Sequence, residues 1–157
     1  MGTACLTVVL NKEEQEIVWV YVPQDGYPAS FGRILADLLS GITIVDGLPA
    51  QQTDPNIISV IDELPTMANG LECLAAEIVK YLKEEPGYVY LYPPGTKGLY
   101  VAYTYVVTGQ FGEGPCVRVY DDYYKSEEAG LLFDGPASDL HAWIDSRDDE
   151  SPHDEST

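Results

Sequence analysis

One stretch of the chain, Ile17–Leu39, constrains the fold more than any other. Its first six residues, IVWVYV, are β-branched or aromatic, a composition typical of a strand that is covered on both faces. The motif Asp25-Gly26-Tyr27-Pro28 supplies turn chemistry, and proline suits the first turn of a helix. Apolar residues then recur at helical spacing from Phe31 to Leu39. The stretch therefore predicts a strand, a tight turn and a helix in immediate succession.

The segments on either side of this unit predict further strands. Ala4–Leu10 and Gln15–Val22 are apolar runs joined by a polar loop, a pattern that indicates a β-hairpin. A β-branched run at Ile42–Val45 predicts another short strand. Prolines interrupt Leu48–Met67, so we interpret that segment as a connecting loop with a short strand or helical turn at Ile57–Ile61.

A second helix follows the connecting loop. Asn69 is a favoured N-cap residue, and Glu72 stands three positions later, the spacing of a capping box. Apolar residues occupy one helical face from Leu71 to Leu82, and Pro86-Gly87 stops the helix. The pattern predicts a helix whose first turn is capped by the Asn69 side chain.

A tyrosine-rich segment, Gly87–Val107, has two alternating runs around the turn Pro93–Gly98 and predicts a β-hairpin. Tyr88, Tyr90 and Tyr92 share one face of the first run. A row of phenols is either a stacking platform for a base or sugar, or cross-strand packing with hydroxyls in water. Packing is the simpler interpretation, because a nucleotide platform normally brings cations with it.

The last part of the chain predicts the end of the sheet, a short helix and a tail. Cys116–Tyr120 and Gly130–Phe133 resemble strands, and Ser138–Ile144 has helical spacing. Residues 145–157 are polar and acidic, so we predict a disordered tail there. The fold predicted for residues 1–144 is a single α+β domain, with a mostly antiparallel sheet of about five or six strands, two main helices on one face and a short C-terminal helix.

Charge sets the strongest limit on partners. The chain has 26 acidic and 8 basic residues, a formal net charge of −18. Nucleic acids and anionic membranes require clustered Lys and Arg, so we expect neither as a direct partner. The charge serves either solubility alone or a surface that imitates a polyanion and occupies the nucleic-acid cleft of a basic protein. The acidic residues assigned to such a surface are Asp121, Asp122, Glu127, Glu128, Asp145, Asp148, Asp149 and Glu150.

Residues that commonly carry catalysis or hold metals are sparse. Cys5, Cys73 and Cys116 are widely spaced, with no Cys-x-x-Cys pair, which argues against a zinc site or a disulfide framework. The sequence also lacks the nucleophile-elbow, zinc-protease and phosphate-loop motifs. We expect no catalytic residues, metal or cofactor, and an enzyme stays open only as an alternative.

Length and hydropathy predict one soluble domain in the cytoplasm. A chain of 157 residues can bury about two-thirds of its unfolded surface. No apolar run approaches the roughly 18 residues of a membrane span. Met1–Leu10 lacks the basic start and long apolar core of a signal peptide.

A second hypothesis places a ligand at the Asp25–Pro28 turn. Binding groups gather on loops held between rigid elements, so Asp25, Gly26 and Tyr27 are candidates to line a concavity for a small ligand or nucleotide. Tyr90 and Tyr92, on the tyrosine face, complete this candidate site. A simple connecting turn explains the same residues. Salt separates the hypotheses, because a polyanion mimic loses its partner as salt rises whereas a desolvated pocket keeps its ligand.

A series of short motifs follows a fixed order along the first two-thirds of the chain: Met1-Gly2-Thr3, Tyr21, Asp25-Gly26-Tyr27-Pro28, Ser40-Gly41, Ala68-Asn69-Gly70, Cys73-Leu74-Ala75-Ala76 and Tyr90-Leu91-Tyr92-Pro93-Pro94-Gly95-Thr96. This series resembles a family of small, uncharacterised proteins encoded by bacteria, their phages and some large DNA viruses. The resemblance implies a phage- or virus-encoded protein that works in the cytoplasm of the host cell, and it brings no known activity.

The chain departs from that family at two places beside the turn. It has Ala4-Cys5 where the family tends to have Arg-Ser, and Val22-Pro23-Gln24 where the family has Arg-Gln-aromatic. Two arginines that could bind an anion are therefore missing. The leading hypothesis is a small non-enzymatic protein that engages a host protein through its acidic surface. Its sharpest form is a nucleic-acid mimic that inhibits a host defence or DNA-processing factor.

Overall fold

The computed structural model describes residues 2–47 and 66–147. The strands are β1 (Cys5–Leu10), β2 (Glu16–Val22), β3 (Thr43–Val45), β4 (Met67–Asn69), β5 (Tyr90–Tyr92), β6 (Tyr103–Thr108), β7 (Cys116–Asp121) and β8 (Gly130–Pro136). The helices are α1 (Arg33–Leu39), α2 (Gly70–Leu82) and α3 (Leu140–Asp145). Six strands form one sheet in the order β5-β2-β1-β6-β7-β8, and β3 and β4 form a small parallel pair. The predicted α+β fold is confirmed.

The predicted hairpin at the start of the chain is present. β1 and β2 pair antiparallel with Cys5 opposite Val22. The Asn11 side chain organises the loop, because its Oδ1 accepts the backbone N–H groups of Glu13 and Gln15 at 3.0 and 2.9 Å. Glu14 adopts a left-handed conformation with φ of 64°. An asparagine that bonds backbone ahead of it is typical turn chemistry.

The strand–turn–helix unit also forms as predicted. Pro28 begins a single π-helical turn, Pro28–Gly32, which leads directly into α1. The Phe31 N–H is shared between the carbonyls of Asp25 and Tyr27, at 3.2 and 3.0 Å. The π-helical turn therefore begins the helix, and it also supplies a hydrogen-bond donor to the Asp25 carbonyl.

The predicted hairpin over Gly87–Val107 is wrong. β5 pairs antiparallel with β2, and β6 pairs parallel with β1 instead. β1 is buried on both faces of the sheet, and one of its edges is not paired with β2. β6 has six residues, of which the central four are buried, and it pairs with that edge. β5 has three residues that are largely exposed, so it suits the edge of the sheet. The segment between them crosses one face of the sheet.

The predicted cap of the second helix is also wrong, although α2 itself is confirmed. Asn69 is the last residue of β4 and makes no side-chain bond to the helix. Its Oδ1 accepts the N–H of Gly47 at 2.7 Å instead, which ties the end of β3 to β4. A tertiary partner has therefore replaced the local one.

Apolar residues cover both faces of the sheet. The helices pack on one face, where Phe31, Leu74 and Tyr105 are fully buried. The opposite face, which we call the loop face, carries a second cluster around Leu6 and Trp19. Segments 93–102 and 121–125 supply its cover through Leu99, Val101, Tyr123 and Tyr124. This double burial explains why all six residues of β1 are buried.

The tyrosines divide between these two faces. Tyr92 packs with the loop-face cluster, and its ring lies 5.9 Å from that of Tyr21 in an edge-on arrangement. Tyr103 and Tyr105 contribute to the helix-side core. The phenols of the two predicted hairpin strands therefore do not line one common face.

Several sequence predictions fall at the limits of the described residues. Asp145, predicted as the first residue of the tail, is the last residue of α3. Met67, predicted in the connecting loop, begins β4. The rest of that loop up to residue 65, with its short element at Ile57–Ile61, and the tail from residue 148 lie outside the described residues. Within the described part, no helix has the length and apolarity to cross a membrane.

Candidate functional site

The Asp25–Pro28 turn is packed into the fold. The Gly26 N–H donates to the Thr3 carbonyl at 2.7 Å. The buried Tyr105 hydroxyl donates to the Gly26 carbonyl at 2.8 Å. A Cβ at position 26 would lie 2.6 Å from the Cβ of Cys5. Glycine is thus required by the close approach of β1. The turn contacts β1 through Cys5 and β6 through Tyr105, and it leads into α1.

Burial keeps the groups beneath this turn neutral. It raises the pKa of the Cys5 thiol and, well above its ordinary value, that of the Tyr105 phenol. A buried thiol with a raised pKa is inert, since the thiolate is the nucleophile. Neither group therefore serves as a nucleophile or base at neutral pH.

Tyr88 connects the turn to a nearby cavity. Its pKa is raised by burial first, and then by electrostatic interactions with Cys5 and Asp25. Tyr88 has a φ of 75°, and Asp25 has a φ of 60°. Both are non-glycine residues in the left-handed region, where backbone strain is concentrated. Tyr27 is half-buried and lines none of the three cavities described below.

The cavity beside Tyr88 combines aromatic rings with carboxylates. It measures about 370 Å³, and we call it the acid–aromatic cavity. Its lining residues are Ile34, Tyr81, Leu82, Glu84, Glu85 and Tyr88. Glu84 and Glu85 follow the C-terminal end of α2, where the helix dipole is negative. Carboxylates, a helix C-terminus and phenol faces all favour a cation, so this cavity suits an ammonium or guanidinium group.

Several carboxylates of the acidic loop between β7 and β8 accept hydrogen bonds from neighbouring residues of the same loop. Asp121 Oδ1 accepts the Gly130 N–H at 2.5 Å, and Asp122 Oδ1 accepts the Tyr123 N–H at 2.6 Å. Glu128 accepts a hydrogen bond from Ser126 at 2.9 Å. These carboxylates remain exposed but are held by the loop.

The other predicted acidic residues are in varied positions. Glu127 is exposed. Asp145 pairs with Arg33 at 2.7 Å, which ties α3 to α1. Asp148, Asp149 and Glu150 lie outside the described residues. The structure therefore brings together Asp121, Asp122, Glu127 and Glu128 on one loop and places Asp145 on a helix.

The side chain of Glu16, on β2, connects this loop to the sheet. The Tyr124 hydroxyl donates to a carboxylate oxygen of Glu16, and Lys125 Nζ lies 3.5 Å from the same oxygen. Burial and the Glu16 carboxylate raise the pKa of Tyr124, so the phenol stays protonated. The loop thus holds its position over the loop face.

The largest of the three cavities has mixed charge. It measures about 490 Å³ and lies between the β1–β2 hairpin loop and the start of β7. Lys12 and Arg118 line it together with Glu13, Glu14 and Glu113. Cys116 also lines it, and its pKa is raised mainly by burial and then by Glu113 and Asp134. The lining selects no single charge and offers no activated thiol.

The third cavity lies under the turn that precedes β6. It measures about 260 Å³ and includes Trp19, Thr96, Lys97 and Tyr123 in its lining. Neither this cavity nor the acid–aromatic one was predicted from the sequence. The alternation in β2 shows that Trp19 has a defined face, but it does not show which loop covers that face. Tyr90 and Tyr92 line none of the three cavities.

Protein-family models, curated proteins and solved structures all gave no match to this chain. Among the described residues, no group of three or more His, Cys, Asp or Glu side chains is placed to hold a metal ion. The function must therefore be argued from the surfaces and cavities themselves.

Proposed function

We propose that this chain is a small non-enzymatic binding protein that engages a basic protein through its acidic surface. The observation that carries the proposal is the acid–aromatic cavity in a chain with a net charge of −18. The cavity gives the overall charge a specific point of contact. Its occupant would be a lysine or arginine side chain of the partner.

The distribution of charge supports this proposal. Every acidic residue that the structure describes is exposed, apart from the half-buried Glu16 and Glu77. Three ion pairs join described residues, namely Arg33–Asp145, Lys125–Glu16 and, when the imidazole is protonated, His141–Asp37. Most surface carboxylates are thus left to act on a partner. Such a field accelerates association with an oppositely charged protein.

The anchor within this surface is the acid–aromatic cavity. Arginine and tyrosine are enriched among the residues that dominate interface energies. A guanidinium between Tyr81 and Tyr88 would gain cation–π attraction, and Glu84 or Glu85 would neutralise it. The carboxylates of Asp121, Asp122 and Glu128 are already hydrogen-bonded in their loop, so we assign that loop to long-range attraction.

The sharpest form of the proposal is a mimic of nucleic acid. A partner with a DNA- or RNA-binding cleft presents clustered Lys and Arg, which is the surface that complements this one. The resemblance to phage and virus proteins adds a setting in which the partner is a host defence or DNA-processing factor. The proposal then predicts competition between this chain and nucleic acid for one cleft.

Affinity capture from a host-cell lysate tests the proposal. The full chain, a version ending at Arg147, and the double variants Glu84→Gln/Glu85→Gln and Glu127→Gln/Glu128→Gln serve as baits. We expect a nucleic-acid-binding protein that elutes at moderate salt and is displaced by added DNA. The two double variants remove equal charge, so any difference between them reflects position.

The expected difference is about tenfold in affinity, or about 1.4 kcal/mol, with the cavity variant the weaker binder. Equal and small losses in both variants would show that the charge acts only at long range and would refute the anchor. A partner that resists salt and is not displaced by DNA contradicts the mimic. Failure to retain any specific protein rejects the proposal as a whole.

A further inference from the structure

A second binding site is suggested by the cavity under the turn that precedes β6, which we call the Trp19 cavity. Leu6 and Trp19 form its floor on the sheet, and Leu99 and Val101 form a wall on the crossing segment. These residues belong to strands and a loop that are far apart in sequence. The cavity lies on the loop face, opposite the helices, and shares no lining residue with the acid–aromatic cavity.

The indole N–H of Trp19 is the unusual group in this cavity. Trp19 is 4% exposed, and its Nε1 finds no hydrogen-bond acceptor among the described residues. A buried donor without a partner carries the full cost of its lost hydration. Buried tryptophans normally direct the N–H to a partner. The cavity that Trp19 lines is the place where an acceptor on a ligand could be received.

The remaining polar groups define the charge of that ligand. Among the described residues that line the cavity, Lys97 alone is charged, and it stands exposed on the covering turn. The Thr96 hydroxyl already donates to the Pro93 carbonyl at 2.7 Å. Tyr123 packs 5.6 Å from the Trp19 ring, and its phenol stays neutral because burial raises its pKa. The residues that line the cavity therefore combine apolar side chains, a tryptophan whose buried N–H has no partner among the described residues, and a cation.

We propose that the Trp19 cavity binds a small carboxylate with an apolar body. The carboxylate would accept the Trp19 N–H and face the Lys97 ammonium, while a ring or branched aliphatic group fills the space against Leu99 and Val101. At about 260 Å³ the cavity is smaller than the roughly 300–1,000 Å³ of drug-sized sites, so the ligand is compact. This site is independent of the acidic surface and survives if the protein-binding proposal fails.

Tryptophan fluorescence tests this proposal with purified protein. The chain has two tryptophans, so Trp143→Phe leaves Trp19 as the single reporter. Sodium benzoate is the probe, and benzamide and toluene are its neutral and acceptor-free counterparts. We expect a saturable change with benzoate, weaker binding of benzamide and the weakest binding of toluene.

Variants separate the contributions of the two polar groups. Lys97→Gln should weaken benzoate about threefold to fivefold, as expected for an exposed ion pair of up to about 1 kcal/mol. Lys125→Gln is the matched control, since it removes a cation outside the cavity's lining and should leave affinity unchanged. For Trp19→Phe, binding is followed by ligand-observed NMR, and urea unfolding confirms that the variant is folded. We expect at least a tenfold loss.

A filled cavity provides the decisive control. Val101→Trp should abolish the benzoate response if the ligand occupies the Trp19 cavity. The response is followed here by ligand-observed NMR, because the new tryptophan would add its own fluorescence, and urea unfolding again confirms the fold. A response that persists in this variant places benzoate elsewhere and overturns the proposal. So does the absence of any saturable change up to tens of millimolar benzoate. Equal affinities for toluene and benzoate would show an apolar void without a role for the N–H, which also overturns it.

Discussion

Gly26 occupies a position that has no room for a side chain. A Cβ there would lie 2.6 Å from Cys5 Cβ and 2.9 Å from the Cys5 backbone nitrogen. Since a backbone atom cannot turn aside, β1 itself must shift. We predict that Gly26→Ala lowers the free energy of unfolding by about 2 kcal/mol, as measured by urea denaturation.

Gly41 provides the matched control. Nothing lies within 4 Å of a Cβ built at this position, and its φ is not left-handed. Gly41→Ala should therefore leave stability within about 0.5 kcal/mol of the parent. Equal losses in the two variants would show that glycine flexibility, and not the contact with β1, determines the effect at position 26.

Tyr105 links the core to the same turn, and its replacement has two expected effects. Tyr105→Phe leaves the Gly26 carbonyl without its buried donor, at a cost of about 1–2 kcal/mol at neutral pH. The pKa of Tyr105 is raised in the folded state, so above pH 10.0, its ordinary pKa, the unfolded chain releases a proton that the folded one retains. Stability contributed by this group is present below that pH and is lost as pH rises.

The alkaline limb of a stability–pH curve checks this second effect. Tyr105→Phe should fall less steeply than the parent above pH 10, because one of the groups with a raised pKa is gone. Tyr100→Phe is the control, since that side chain is 88% exposed. Parallel curves for parent and Tyr105→Phe would contradict the assignment.

At the scale of elements, the loop between β7 and β8 is held on the sheet by the Tyr124–Glu16 contact. We predict that Tyr124→Phe speeds hydrogen exchange at the amides of Ser126 and Ala129, which bond within this loop. The global stability should change by less than about 1 kcal/mol, because the loop opens without the core. Unchanged exchange at these amides would show that the contact does not hold the loop.

Lys125→Gln separates the phenol from the ion pair. Lys125 is exposed and lies 3.5 Å from the Glu16 carboxylate, a distance and setting that contribute little. Exchange in this variant should match the parent. The comparison assigns the position of the loop to the hydrogen bond and to the packing of Tyr124 on its neighbours.

The elements themselves could be predicted from sequence, but some of their partners could not. Alternation in Ile17–Val22 and helical spacing in Gly70–Leu82 are local signals, and both elements form where expected. β5 and β6 resembled a hairpin because a turn motif separates them. The pairing partner of β6 was decided by the buried free edge of β1, which belongs to a distant part of the chain. Asn69 shows the same limit, since its partner Gly47 is 22 residues away.

The same reasoning explains why the cavities were missed. Trp19, Lys97 and Tyr123 become neighbours only because the segment before β6 crosses the loop face. Glu84 and Glu85 look like an ordinary charged helix end until Tyr81 and Tyr88 are placed beside them. The acidic composition was visible from the sequence, whereas the shape that makes part of it specific was not.

At the scale of the whole molecule, the net charge of −18 predicts a dependence of stability on salt. Unpaired surface carboxylates repel one another in the compact state, and salt screens that repulsion. The urea midpoint should therefore rise between about 10 mM and about 0.5 M sodium chloride. A fourfold variant with glutamines at Glu84, Glu85, Glu127 and Glu128 should show a smaller rise. A midpoint that falls with salt would mean that the ion pairs outweigh the repulsion.

The parallel pairing of β1 with β6 also fixes an order of events during synthesis. The hairpin of β1 and β2 can close once residue 22 has left the ribosome, but the other edge of β1 waits for residues 103–108. At roughly 5–20 residues per second this interval is on the order of ten seconds. During that time an apolar strand edge is open to other chains. The nascent protein is therefore prone to aggregation until β6 emerges and pairs with β1.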